Sequence, residues 1–510
     1  MKKEVSAKQK IVYNSMSNGL YQIISLICGL ILPRFILLAY GSAYNGLVAS
    51  ISQFLGITEI LTMGLGGAAR AELYDSLAYQ DNNRTSGIVK AVSLYMRKTA
   101  LIFFVYMAVL MFIYPLFVQS AFSFWEISSL FLIIGLGNII NYVCGYSYSV
   151  LLDADNRAYY YTNVKILLMI TNTIVSILLI GFGYSIQLVK LVNIITYALG
   201  PLYLFFLVPR HYKLKKSIPK ETSLRRKQKD AAANSIALII HENTDAVLLT
   251  ILTSAEMVSV YSVYNLVIKG LKGVLSVFTG SMEPYFGNLW AKHEVKSMEI
   301  TLRHYEYFIG TFVSVMLSAA MVMILPFVEL YTQGVKDITY VLPVYALFVV
   351  MAEVTRCIRI PYLTVVQAAG KYKETKNGAY MEAGINIVLS FFLTLKLGMV
   401  GVAIGTLAAN LFRTFQYADY ISRFLIKRRI RRTVYLLGWV LFNLMINTLL
   451  YNQLIRYLGL EISSWGRWIV GGILIVGIST AEVFLSSFVF YRQDIRWIFR
   501  YIGKVFGRKP

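Results

Sequence analysis

Apolar residues run in blocks of about twenty along most of the chain, separated by short stretches rich in Lys, Arg, Asn, Gly and Pro. At about 1.5 Å per helical residue, one such block crosses the roughly 30 Å hydrocarbon core of a bilayer. The pattern predicts fourteen helical spans, near residues 14–38, 44–66, 92–117, 124–151, 160–182, 186–208, 232–253, 257–289, 304–328, 339–367, 379–396, 399–422, 434–455 and 467–490. No remaining segment is long enough for a sizeable soluble domain, so the expected fold class is an all-α polytopic membrane protein. The opening MKKEVSAKQK leads into a long span without a small-residue cleavage site, which favours a retained first helix over a signal peptide.

Composition agrees: 57% of the 510 residues are hydrophobic and 15% charged. A formal charge of +23 would suit a nucleic-acid binder, but its placement argues otherwise. Lys and Arg gather in alternate loops, at the N-terminus, 70–98, around Arg157, 210–229, 292–303, 371–376, 423–432 and 492–509. With fourteen spans these loops share one side, which the positive-inside rule makes cytoplasmic, and both termini are expected there. Lys336, Lys396, Arg456 and Arg467 are the main exceptions. Cys28, Cys144 and Cys357 all fall within predicted spans and show neither metal nor disulfide spacing.

The longest polar interruption, residues 209–230, combines two prolines with dense positive charge and reads as a linker between two bundles. A weak repeat supports this. Ala154/Ala368, Arg157/Lys371, Asn163/Asn377, Asn172/Asn386 and Ser176/Ser390 all differ by 214, and Asn14-Ser15 and Asn234-Ser235 by 220. Internal repetition of this sort marks transporters. The expected organisation is a six-helix lobe over 1–208, a basic cytoplasmic linker over 209–231, a second six-helix lobe over 232–423, and two further helices with a basic tail over 424–510. The two lobes are expected to be related by a pseudo-two-fold axis.

Glu353, Arg356 and Arg359 interrupt the otherwise apolar VMAEVTRCIRIPYLTVV. Each ionisable group at the centre of a spanning helix costs roughly 2.5–3.5 kcal/mol on insertion scales, so partners, water or ligand must offset them. At i, i+3 and i+6 they occupy one broad helical face. Elsewhere Glu59, His241, Glu242 and Asp245 place acids and an imidazole inside predicted spans two and seven, and Lys269 and Lys272 share a face of span eight beside Gly270 and Gly273. Arg34 follows Pro33 near the outer end of span one, where it either lines a cavity or snorkels.

ILPRFILLAYGSAYNGLVASISQFLGITEILTMGLGGAAR (31–70) resembles the first two helices and first cytoplasmic loop of polysaccharide flippases, part of the multidrug/oligosaccharidyl-lipid/polysaccharide exporter superfamily. NTDAVLLTILTSAEMVSVYSVYNLV (243–267), with Asp245 and Tyr261-Ser262, is similar to their seventh and eighth helices, and residues 367–410, ending in LGMVGVAIGT, to their carboxy-terminal segment. The resemblance implies alternating access that moves a polyprenyl-diphosphate-linked oligosaccharide outward, with spans thirteen and fourteen added to a twelve-helix core. The substrate's diphosphate would need cationic donors. Arg356, Arg359, Lys269, Lys272 and Arg34 are the candidates. Glu242, Asp245, Glu353, Glu59 and His241 would either carry a coupling H+ or Na+ or neutralise those cations.

No cofactor is expected, and no Gly-rich nucleotide loop, metal spacing or nucleophile triad appears. The implied partners are the lipid-linked oligosaccharide, membrane lipids, and a polymerase and glycosyltransferases, without nucleic acid, at the cytoplasmic membrane. Alternatives are a drug or cation antiporter of the same superfamily, whose cavity would be acidic and aromatic, and a polysaccharide polymerase, which would need a large outer loop.

Overall fold

Gly41 shows how the apolar pattern becomes structure. Helix α1 (Ala7–Gly56) carries the first two predicted spans and is broken at Gly41, whose φ of 82° and ψ of 177° are not helical. That conformation is open to glycine almost alone. The break frees the first backbone donors of the next helical segment. Asp337 satisfies them, accepting from Ser42 N–H at 2.7 Å and from Ser42 Oγ at 2.5 Å. The computed structural model describes residues 7–62, 64–118, 122–215, 218, 243–280, 282–458 and 462–496.

After α1 come a 3₁₀ turn (Ile57–Leu61), α2 (Leu65–Ala78) and α3 (Asn82–Phe117). Helix α4 (Phe124–Ile140) passes through a π segment (Asn141–Gly145) into α5 (Tyr146–Ala154), and α6 (Tyr159–Gly181) and α7 (Ile186–His211) follow. Beyond the undescribed residues lie α8 (Asn243–Leu252), α9 (Ala255–Thr279), α10 (Met282–Ala291), α11 (Val295–Tyr331) and α12 (Pro343–Ala368). The series closes with α13 (Tyr372–Leu397), α14 (Met399–Tyr420), α15 (Arg431–Leu458) and α16 (Trp465–Phe490). No strand occurs among the described residues. Starts follow local chemistry: Asp81 accepts from Asn83 and Arg84 N–H at 3.0 and 2.9 Å before α3, and Ser123 and Glu126 form a capping box at α4.

Nine helices among the described residues are long and apolar enough to cross a membrane. The expected count of fourteen is not reproduced by that measure. Span 257–289 is divided between α9 and α10. Helix α12 is 26 residues long, but every window of eighteen in it includes Glu353, Arg356 and Arg359, so composition alone does not admit it.

Two compact units are present, Met1–Ser262 with Gly334–Ile338, and Val263–Gln333 with Thr339–Pro510. The division falls within α9, not in the basic segment 209–231, most of which lies outside the described residues. Polar contacts within the first unit explain this placement. Ser50 Oγ meets Thr250 Oγ1 at 2.6 Å, Asn45 donates to Ser259 at 2.7 Å, and Gly46 lies against the Ala255 backbone so closely that a Cβ would collide. The core of this unit gathers Ile51, Leu55, Phe103, Met107 and Phe131, and Tyr114 stacks edge-on against Phe131 while donating to Ser50 at 2.9 Å.

In the second unit, Gly401 and Gly405 form a Gly-x-x-x-Gly seam. Side chains there would strike the Leu393–Thr394 backbone and Ser390, so α14 packs on α13 almost backbone to backbone. Helix α15 meets α11 through Asn443 at Ser314 (3.1 Å) and Asn447 at Ser318 (3.4 Å), and meets α16 through Asn443 at Ser486 (3.0 Å) and Asn447 at Glu482 (3.1 Å).

The repeat is visible in the helix register. α5 and α12 both end at the paired alanines, Ala154 and Ala368, and α6 and α13 begin at Tyr159 and Tyr372. Asn172, Ser176, Asn386 and Ser390 are all buried, and each helix uses one of them to bond the helix that follows: Ser176 bonds Asn193 of α7 at 2.6 Å, Asn386 bonds Thr406 of α14 at 2.9 Å.

Outward faces are apolar. Helix α3 exposes Leu101 (66%) and Phe112 (67%) while burying Phe103 and Met107. Exposed apolar surface on this scale would be unstable in water and is at home in lipid. The chain is a multi-pass membrane protein.

Candidate functional site

Helix α12 holds the charged residues at its centre. Three residues advance a helix by about 300° and six by about 240°, so Glu353 and Arg359 point roughly 120° apart with Arg356 between them. The structure divides the trio accordingly. Arg356 grips Glu353 of its own helix with two nitrogens, Nε at 2.8 Å and Nη2 at the other oxygen. Cys357 Sγ lies 3.5 Å from the same carboxylate, and Lys272 of α9 acts on it electrostatically. The Arg356 side chain remains 22% exposed, whereas that of Glu353 is 5% exposed.

Arg359 turns to the opposite flank and is buried. It pairs with Glu382 of α13, and Arg413 of α14 approaches the second oxygen of that carboxylate at 3.4 Å. Arg413 is anchored further: it donates to the Thr375 carbonyl at 2.9 Å, to Gln416 Oε1 at 2.8 Å and to Tyr417 Oη at 2.5 Å, and lies 4.0 Å from the Tyr417 ring centre. Gly378 leaves the space it needs, since a Cβ there would collide with the guanidinium and with Gln416. Asn410 and Thr414 of α14 donate to the Ala352 and Thr355 carbonyls at 3.1 and 3.0 Å, fixing α12 against α14.

Three arginines, Arg356, Arg359 and Arg413, thus pair with two carboxylates, Glu353 and Glu382, and Lys272 acts on Glu353 electrostatically. Arg359 and Arg413 are committed to a buried three-member network. Arg356, by contrast, is partly exposed.

The remaining sequence candidates are distributed over both units. Lys269 is exposed one turn before Lys272 on α9, in the second unit. Arg34, half-buried on α1, belongs to the first unit, as do Glu59, exposed in the 3₁₀ turn, and Asp245, half-buried on α8. Glu59 acts electrostatically on Tyr142 within that unit. His241 and Glu242 lie outside the described residues. Of the acids, Glu59 and Asp245 thus belong to the first unit and Glu353 to the second.

Two features escaped the sequence reading. Glu382 stands as the lone acid of predicted span 379–396, and an acid in a spanning block was itself a usable signal. Glu306 is buried on α11 and clamps Arg428, with Arg432 at 3.3 Å. Those partners are separated by 122 residues or more, so no local spacing reveals them.

With this geometry in view, solved structures give the fold its relatives. "Lipid II flippase MurJ, inward closed conformation" aligns over 95% of this chain and 100% of its own, with a TM-score of 0.64 and 14% identity. A multidrug resistance MATE family transporter of the MOP superfamily aligns over 83% and 98%, TM-score 0.59, 14% identity. The MATE multidrug transporter DinF-BH aligns over 84% and 98%, TM-score 0.58, 16% identity. No family model and no curated protein sequence matches the chain. At these identities the likeness establishes a shared fold.

Proposed function

We propose that the chain is a flippase that carries a polyprenyl-diphosphate-linked oligosaccharide across the cytoplasmic membrane by alternating access, for cell-surface polysaccharide synthesis. One observation carries this reading: among the described residues around α12, Lys272, Arg356, Arg359 and Arg413 stand with only two carboxylates, Glu353 and Glu382, and the Arg356 side chain is partly exposed. Positive charge gathered within a spanning helix is costly and suits an anionic cargo. A diphosphate supplies the charge and the oxygen acceptors that a guanidinium fork binds well. An antiporter of cationic drugs would favour the opposite sign. Alignment with a lipid flippase over 95% of the chain, against 83% for a multidrug transporter, also supports a lipidic cargo and a role for the last helices.

In this reading Arg356 is the residue that meets phosphate, assisted by Lys272 and Lys269, with Arg34 a second station. Arg359 holds α12, α13 and α14 together. Asp245, Glu242, Glu59 and His241 are proposed to carry H+ or Na+ coupling. The Lys and Arg distribution supports cytoplasmic termini. Glycosyltransferases that assemble the cargo and a polymerase that consumes it are the partners this role requires. Reconstituted protein should move a labelled lipid-linked oligosaccharide at a rate that falls when the proton or sodium gradient is collapsed. Unchanged rates without either gradient would remove the coupling, and no movement of the lipid would remove the flippase assignment.

A further inference from the structure

A cavity of about 590 Å³ lies wholly within the second unit, where the start of α11, the α14–α15 turn and the end of α16 converge. Six arginines line it: Arg303, Arg428, Arg429, Arg431, Arg432 and Arg492. Loop topology accounts for basic residues on this side of the membrane. It does not account for six of them facing one concavity, three in fixed positions. Arg303 is held by Asp494 at 2.8 and 3.0 Å and by Gln493 at 2.8 Å, while Arg428 and Arg432 are held by Glu306.

Arg429, Arg431 and Arg492 are exposed and engage no ion pair among the described residues. Glu299, Asp494 and Glu306 are the acids at or beneath the cavity, against six guanidinium groups. The sequence that follows, residues 497–510, adds Arg500, Lys504, Arg508 and Lys509 and no acid, so it supplies no counter-charge. The cavity is also bordered by exposed apolar groups, Tyr435 (55%), Val489 (77%) and Phe490 (41%).

We propose that this cavity binds the phosphate headgroup of an anionic membrane lipid, whose acyl chains lie along the apolar border. The guanidinium groups match phosphate oxygens in charge and in planar donor geometry, and the apolar rim distinguishes a lipid from a free phosphate compound. The site is distinct from the Glu353–Arg356 pair of α12, although Arg428 lies 5.9 Å from the Tyr362 ring centre of that helix, and it does not depend on the transported cargo.

The test uses delipidated full-length protein titrated with phosphatidylglycerol or phosphatidylcholine, with bound lipid counted by native mass spectrometry. The wild type should retain phosphatidylglycerol selectively. The triple variant Arg429→Gln/Arg431→Gln/Arg492→Gln should lose that retention by about tenfold or more. The matching lysine triple variant should keep most of it, and Lys396→Gln/Arg456→Gln/Arg467→Gln, an equal charge change elsewhere, should leave it intact. Equal retention in the first variant, or equal loss in the third, would overturn the site. Binding of inorganic pyrophosphate with no lipid retained would overturn the lipid assignment.

Discussion

Arg359 and Arg413 share one carboxylate, and this makes Glu382 a sensitive buried residue of the second unit. Replacing Glu382 with Gln leaves two adjacent buried cations, a change that typically costs roughly 3–5 kcal/mol. Thermal unfolding in a fixed detergent should register that loss, and the double variant Glu382→Leu/Arg359→Met should recover much of it. Gly41→Ala should destabilise by about 1–3 kcal/mol, because alanine is strained at φ 82° and ψ 177°; an unchanged melting temperature would contradict the stated cause. At this scale the sequence exposed Glu353, Arg356 and Arg359 as anomalies but not their division between partners. Apolar context reveals an expensive charge, whereas pairing across α12, α13 and α14 depends on side-chain direction and on packing between helices.

At the scale of elements, most helices were legible because long apolar blocks bounded by Gly, Pro and charges have few other solutions in a bilayer. The break at Gly41 falls between the first two predicted spans, and the ends of α5 and α12 follow the repeat of 214. What remained hidden is how α15 and α16 attach. Asn443 and Asn447 are spaced one turn apart, as are Ser314 and Ser318 on α11, and the resulting ladder is visible only once the helices are paired. The double variant Asn443→Ala/Asn447→Ala should lose about 1–2 kcal/mol, within the range measured for hydrogen bonds between membrane helices. Limited proteolysis should then cut the chain between α14 and α15 sooner than in the wild type; identical cleavage rates would show that apolar packing alone holds the two helices.

For the whole molecule, the fold shared with MATE transporters and a lipid II flippase agrees with the superfamily whose motifs the sequence resembles. The chemistry within that fold is what separates an anionic lipid cargo from a cationic drug. Sequence composition could not separate them, since its net charge of +23 is dominated by loops, while the balance around α12 depends on which of a few buried groups meet. The most direct measurement is movement of a fluorescent polyprenyl-diphosphate-linked oligosaccharide in proteoliposomes containing equal amounts of wild type and Arg356→Gln. The wild type should translocate it, and Arg356→Gln should lose on the order of tenfold or more per inserted, folded molecule, as expected for a charge-assisted phosphate contact, with a lowered melting temperature because buried Glu353 loses its partner. Full activity in Arg356→Gln, or transport of a cationic dye and not of the lipid by the wild type, would contradict the cationic station on α12.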